Sequence, residues 1–121
     1  MSKRILVIED QEDNRRIMRD LLTSAGYEII EALTAEMGVA AAETHRPALI
    51  LMDIQLPDFD GYEATRRIKA NPALRAIPII AVTSYALSGD DVKAYEAGCD
   101  AYVSKPFSPR ALLAKIREFL T

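Results

Sequence analysis

The chain has 121 residues, which leaves room for one domain at roughly 100–200 residues per domain. Of these residues 50% are hydrophobic and 27% are charged, ordinary globular usage that excludes disordered, collagen-like and disulfide-scaffold classes. A formal net charge of -3 and a pI of 5.2 argue against a cationic surface for nucleic-acid phosphates, and apolar runs such as Ala48–Met52 fall far short of the ~20 residues that cross a bilayer.

Five short apolar runs read as strands, each followed by a segment with helical spacing. The first run, Ile5–Ile8, precedes a stripe of Ile17, Met18, Leu21, Leu22 and Ala25 that stops at Gly26, an amphipathic helix with one buried face. After the second run, Glu28–Ala32, Thr34 can cap a helix that ends in His45-Arg46 before Pro47, with basic residues at the negative end of its dipole. The third run, Ala48–Met52, is followed by a helix from about Gly61 to Ala70.

The fourth run, Ile77–Val82, leads to a helix opened by Ser88 with Asp91 in capping-box spacing and closed at Gly98. The fifth, Ala101–Val103, leads through Ser108-Pro109 to a helix striped by Leu112, Leu113, Ile116, Phe119 and Leu120. Such alternation calls for an α/β fold with a parallel sheet covered on both faces. Charged Glu28–Glu31 and short Ala101–Val103 suit edges, while the continuously apolar runs suit the centre. The expected architecture is the flavodoxin-like (βα)5 fold, strand order 2-1-3-4-5. The fifth helix runs to Thr121, so the expectation is one domain, residues 1–121, with no effector domain in this chain.

In open α/β sheets the site lies at the carboxyl ends of the strands beside the switch point, here between strands 1 and 3. The residues delivered there are Glu9 and Asp10 after the first strand, Asp53 after the third, Thr83 and Ser84 after the fourth, and Ser104 and Lys105 after the fifth. Taken singly, an aspartate past a strand caps a helix or forms a turn, Thr83 is a strand-end hydroxyl, and Lys105 is a solvated surface lysine. Their convergence on one sheet edge is harder to explain that way. Several ionised carboxylates in one cleft need a compensating cation. Asp10 and Asp53 suit Mg²⁺, which takes one or two protein carboxylates and keeps its other positions for water or phosphate oxygens. His45 is the single histidine and Cys99 the single cysteine, which disfavours zinc and leaves no internal disulfide. Asp53 is the candidate nucleophile for an aspartyl-phosphate.

These residues resemble the receiver domain of two-component response regulators over essentially the whole chain. The resemblance is carried by Ile5-Leu6-Val7-Ile8-Glu9-Asp10, Leu49-Ile50-Leu51-Met52-Asp53-Ile54-Gln55-Leu56-Pro57, Gly61, Pro78-Ile79-Ile80-Ala81-Val82-Thr83-Ser84 and Ala101-Tyr102-Val103-Ser104-Lys105-Pro106-Phe107. It implies Asp53 as phosphoacceptor and Asp10, Asp53 and the backbone carbonyl of Gln55 as Mg²⁺ ligands, with Glu9 assisting. It also implies Thr83 and Lys105 as phosphoryl-oxygen partners, a cis peptide at Lys105-Pro106, and a switch in which Thr83 and Tyr102 move together.

The implied donor is a sensor histidine kinase or a histidine phosphotransfer protein, docking near Asn14, Arg15, Ile17 and Met18. The implied downstream protein target binds the face of the fifth strand and fourth and fifth helices, with Lys93, Tyr95, Tyr102, Arg110 and Lys115. A phosphorylation-dependent homodimer stays open, and neither direct nucleic-acid nor membrane binding is expected. Gln55 and Tyr85 fall where receivers tune the lifetime of the phosphoryl group. The implied activity is self-directed phosphoryl transfer and autodephosphorylation, not enzymatic turnover, and the expected compartment is the cytoplasm, since no leader-like apolar stretch opens the chain. Arg66, Arg67 and Lys69 read as a solvated helix face, and Cys99 as a small packed hydrophobe.

Three rivals remain. A flavodoxin-like cofactor binder needs a Gly/Ser/Thr-rich loop after the first strand, where this chain has Glu9-Asp10-Gln11-Glu12-Asp13. A Mg²⁺-dependent phosphohydrolase of the aspartyl-phosphate type carries a second aspartate where Gln55 stands. A constitutive receiver-fold interaction module, with Asp53 never phosphorylated, is the third.

Overall fold

The three central apolar runs are buried on both faces, and all five runs pair into one parallel sheet with the less buried second and fifth at its edges. The computed structural model describes residues 3–83, 90–104 and 107–120. Its strands are β1 (Arg4–Ile8), β2 (Glu28–Ala32), β3 (Leu49–Asp53), β4 (Ile79–Thr83) and β5 (Ala101–Ser104), alternating with helices α1 (Glu12–Ser24), α2 (Ala35–His45), α3 (Gly61–Ala70), α4 (Asp90–Ala97) and α5 (Pro109–Leu120). The order across the sheet is β2-β1-β3-β4-β5, all parallel. This is the architecture expected from the sequence. The capping serine expected at Ser88 lies outside the described residues.

Strand alternation divides the core into two layers. Leu6, Ile8, Ile50, Met52, Ile79 and Ala81 face α2, α3 and α4, where Ala42, Ala64, Ile68 and Ala94 cover them. Ile5, Val7, Leu49, Leu51, Ile80 and Val82 face α1 and α5, covered by Met18, Leu22, Leu112 and Ile116. Removing large side chains such as these from water contributes about 1.5–3 kcal/mol each. The two layers thereby fix the sheet between its helices.

Three strand starts differ from the expectation: β1 begins one residue early, at Arg4, which pairs with Glu28. β4 begins at Ile79, not Ile77: the Ile77 N–H is taken by the Leu74 carbonyl at 3.0 Å in a turn, and Pro78 has no N–H for a ladder. β3 begins at Leu49, although the Ala48 N–H still donates to the Arg4 carbonyl at 2.8 Å. At the other end β3, β4 and β5 each run one residue further than expected, through Asp53, Thr83 and Ser104, because the pairings Asp53 with Val82 and Thr83 with Ser104 persist to the edge.

Helix ends follow local chemistry where the sequence offers it. The Thr34 hydroxyl accepts from the Met37 N–H at 3.1 Å and opens α2; Asp60 does the same for α3 through the Glu63 N–H at 2.9 Å. The Ser108 hydroxyl accepts from the Ala111 N–H at 3.4 Å at the start of α5. Helix α1 departs from the expected stripe. Ile17 is 52% exposed, whereas Arg15, a turn before Met18, is buried. The core side of α1 therefore runs Arg15, Met18, Leu22, rotated away from Ile17.

Candidate functional site

The topology brings the ends of β1 and β3 side by side, since β1 pairs with both β2 and β3 and Ile8 lies in register with Met52. The residues that follow, Glu9 and Asp53, are thus neighbours at the carboxyl edge. Glu9, Asp10 and Asp53 each offer a carboxylate oxygen, and these oxygens lie within 4.8 Å of one another. Glu9 is 0% exposed and Asp53 5% exposed, while Asp10 is half-buried. Among the described residues, this is the one group of three or more acidic, histidine or cysteine side chains gathered closely enough to hold a metal ion.

Like charges at such separations oppose joint ionisation unless a cation shares the site. The donors are all oxygens, the ligand chemistry of a hard divalent ion and not of zinc. A partly exposed Asp10 beside two buried carboxylates leaves an open side for further oxygen ligands. The residues present fit Mg²⁺.

Asp53 is held by its own turn. The Gln55 N–H donates to Asp53 Oδ1 at 3.1 Å, the Ile54 N–H reaches across to the Val82 carbonyl at 3.2 Å, and the Gly61 N–H closes the loop on the Ile54 carbonyl at 2.9 Å. The Gln55 peptide thereby lies against the carboxylate, while its side chain is exposed. Thr83 is 2% exposed and lies one residue beyond Val82, the register partner of Asp53. Tyr102 is half-buried, in register with Ala81 and packed against the α2/α3/α4 layer. Of the expected site residues, Glu9, Asp10, Asp53, Gln55 and Thr83 share this edge. Lys105, Pro106, Ser84 and Tyr85 lie outside the described residues; Ser104, which precedes Lys105, pairs with Thr83.

Several side chains have roles the sequence did not announce. Arg15 donates from Nη1 to the carbonyls of Glu9 and Asp10 at 3.2 and 3.3 Å, from Nε to Glu31 at 3.2 Å and from Nη2 to Glu12 at 3.0 Å. Of Asn14, Arg15, Ile17 and Met18, the set implied for kinase docking, Arg15 and Met18 are buried, Ile17 is exposed and Asn14 is half-buried. Lys69, expected on a solvated face, instead donates to the Arg75 and Ile77 carbonyls at 3.0 and 2.8 Å and to Asp100 at 3.0 Å. Arg66 and Arg67 do stay exposed, paired with Glu63, whose carboxyl the Arg67 hydrogen bond holds below its ordinary value. Cys99 is buried as expected, and burial pushes its thiol pKa up, against a contact with the Thr65 hydroxyl at 3.6 Å.

The chain matches the family model for the response regulator receiver domain over residues 5–117. It is 42% identical to the polar-differentiation response regulator DivK of Brucella anthropi over 99% of this chain and 98% of that one. Among solved structures it resembles the receiver domain of a sensor histidine kinase from Pseudomonas aeruginosa, described with a magnesium ion coordinated in the active site cleft, at a TM-score of 0.92 and 37% identity over 99% of this chain and 98% of that one. A receiver domain protein from Methanospirillum hungatei superposes with a TM-score of 0.88 at 39% identity, over 98% of this chain and 93% of that one. No helix among the described residues is long and apolar enough to cross a membrane. The sheet order, the acidic edge and these matches agree: the chain belongs to the response regulator receiver domain family of two-component signalling.

Proposed function

We propose that Asp53 accepts a phosphoryl group from the phosphohistidine of a sensor histidine kinase or histidine phosphotransfer protein. A carboxylate oxygen of Asp53 forms the new bond to phosphorus as the phosphorus–nitrogen bond breaks, and the imidazole leaves with the electron pair and takes up a proton. The carrying observation is the placement of Asp53 at the end of β3, with its carboxylate gathered against those of Glu9 and Asp10.

Asp10 and Asp53, with Glu9 behind them and the carbonyl of Gln55, would hold Mg²⁺. When bound, the ion supplies charge neutralisation for the phosphoryl oxygens. The magnesium described in the Pseudomonas receiver cleft supports this at 37% identity. Thr83 and Lys105 are proposed to contact the phosphoryl oxygens, a reading supported by the burial of Thr83 at the edge and its pairing with Ser104. The turn at Asp53 has no second aspartate where a phosphohydrolase keeps its general acid; the position is Gln55. The proposed activity is therefore phosphoryl transfer to itself and autodephosphorylation.

Phosphorylation would bias a two-state element through new charge-assisted hydrogen bonds at Thr83, followed by Tyr102. The output face proposed is β5 with α4 and α5, where Tyr95, Lys93 and Arg110 are exposed. Its target is a downstream protein or a second copy of the chain. All 121 residues are assigned to this one receiver domain, acting in the cytoplasm where such donors present their phosphohistidine.

Incubation with acetyl phosphate and Mg²⁺, followed by intact-mass measurement, tests the reading. Wild type is expected to gain one phosphoryl group, and Asp53→Asn or wild type in chelator to gain none. An equal gain in Asp53→Asn removes the site. No gain in wild type favours a constitutive interaction module.

A further inference from the structure

We infer that Arg15 is a positioning residue for the divalent cation at Glu9, Asp10 and Asp53; the inference rests on the reading of that triad as a Mg²⁺ site. Glu9 and Asp10 are consecutive, and in a continuing strand their side chains would point to opposite faces. Yet both carboxylates reach the same point as Asp53. The chain must therefore leave the strand after Ile8 and be held in the new direction against the repulsion of adjacent carboxylates.

Arg15 provides that hold. It is 8% exposed, and its Nη1 takes both the Glu9 and the Asp10 carbonyls, at 3.2 and 3.3 Å. The other donors of the same rigid fork are anchored on Glu31 of β2 at 3.2 Å and Glu12 of α1 at 3.0 Å. Glu31 is itself pinned by Arg19 at 3.0 and 3.1 Å. One planar group thus joins the edge strand, the first turn of α1 and the two peptides that carry metal ligands. Outer groups that fix ligand orientation commonly govern metal affinity as strongly as many ligands do.

Charge alone predicts the opposite sign. A guanidinium close to a cation site repels the cation, so removing it would tighten Mg²⁺ binding if electrostatics were its main influence. The positioning role makes removal weaken binding. A lysine keeps the charge but loses the fork, so Arg15→Lys separates the two influences.

The test is Mg²⁺ affinity of the full chain by calorimetry or backbone-amide shifts, for wild type, Arg15→Lys and Arg15→Gln, with thermal unfolding measured in chelator. Both variants are expected to bind Mg²⁺ about tenfold more weakly than wild type. Affinity unchanged in Arg15→Lys, or tighter in Arg15→Gln, overturns the inference even if both variants unfold at lower temperature, because a purely structural role leaves the folded site intact. Should neither variant fold, Glu31→Gln keeps the guanidinium and loosens one anchor; weaker Mg²⁺ binding supports the inference and unchanged binding overturns it. Wild type that binds no Mg²⁺ overturns the site reading and this inference together.

Discussion

Gly61 at the start of α3 packs directly on the main chain of Asp53: a Cβ placed on Gly61 would lie 2.4 Å from the Asp53 carbonyl oxygen and 2.8 Å from Ile54 Cα. Backbone atoms cannot move aside as a flexible side chain can. Alanine in a helix is favoured over glycine by about 1 kcal/mol, but overpacking against a fixed neighbour costs about 1–3 kcal/mol, and here the second effect wins. Gly61→Ala is expected to lower stability by about 1 kcal/mol, read from the denaturant midpoint, and to slow labelling of Asp53 by acetyl phosphate. A variant as stable and as reactive as wild type would show that α3 can withdraw freely from the phosphoacceptor loop.

Asp58, in the same loop, reaches across to α2, where its two oxygens accept the Ala35 and Glu36 N–H groups at 2.9 Å each. Desolvation raises its pKa, but the hydrogen bonds from Glu36 and Ala35, and from Phe59 and its own N–H, outweigh it and hold the carboxyl below its ordinary 3.8. A carboxylate with a depressed folded pKa contributes stability that is fully present above the unfolded value and lost as pH falls through the folded one. Asp58→Ala should cost about 1 kcal/mol at neutral pH, as loss of a helix cap does. The gap to wild type should hold down to about pH 4 and close below it. Unfolding curves across pH check this, and a gap independent of acid would contradict it.

Lys69 and Asp100 form a different kind of contact from the ion pairs on the same helix. Asp100 accepts from both Lys69 at 3.0 Å and the Ile79 N–H at 2.9 Å, and Lys69 also satisfies two loop carbonyls. Lys69→Met strands those acceptors and should destabilise by about 1–3 kcal/mol. Arg66→Ala removes an exposed pair with Glu63 and should change stability by about 0–1 kcal/mol. Equal losses from the two, measured by chemical denaturation, would refute the distinction.

These residues also mark what a sequence can disclose. The five strands, their order and the acidic edge follow from local pattern: continuous apolar runs, a hydroxyl at Thr34 placed to cap its own helix, and carboxylates directly after β1 and β3. Arg15 and Lys69 defeat such reading because their burial depends on partners distant in sequence, Glu31 for one and Asp100 for the other, and long basic side chains are by default solvated. Ile17 errs in the opposite direction. Its spacing with Leu21 fits the stripe, but burial of Arg15 rotates α1 so that Ile17 faces outward. The cap that Asp58 gives α2 spans more than twenty residues of chain, so no capping pattern near Thr34 could reveal it.

In the proposed reaction the phosphoryl group resides on the carboxylate of Asp53. Borohydride reduction of the phosphorylated chain converts an acyl phosphate to the alcohol, and peptide sequencing then locates it. Homoserine is expected at position 53, with Glu9 and Asp10 unmodified. A reduced residue at position 9 or 10, or a phosphoryl group on a hydroxyl side chain that borohydride leaves untouched, would contradict this expectation.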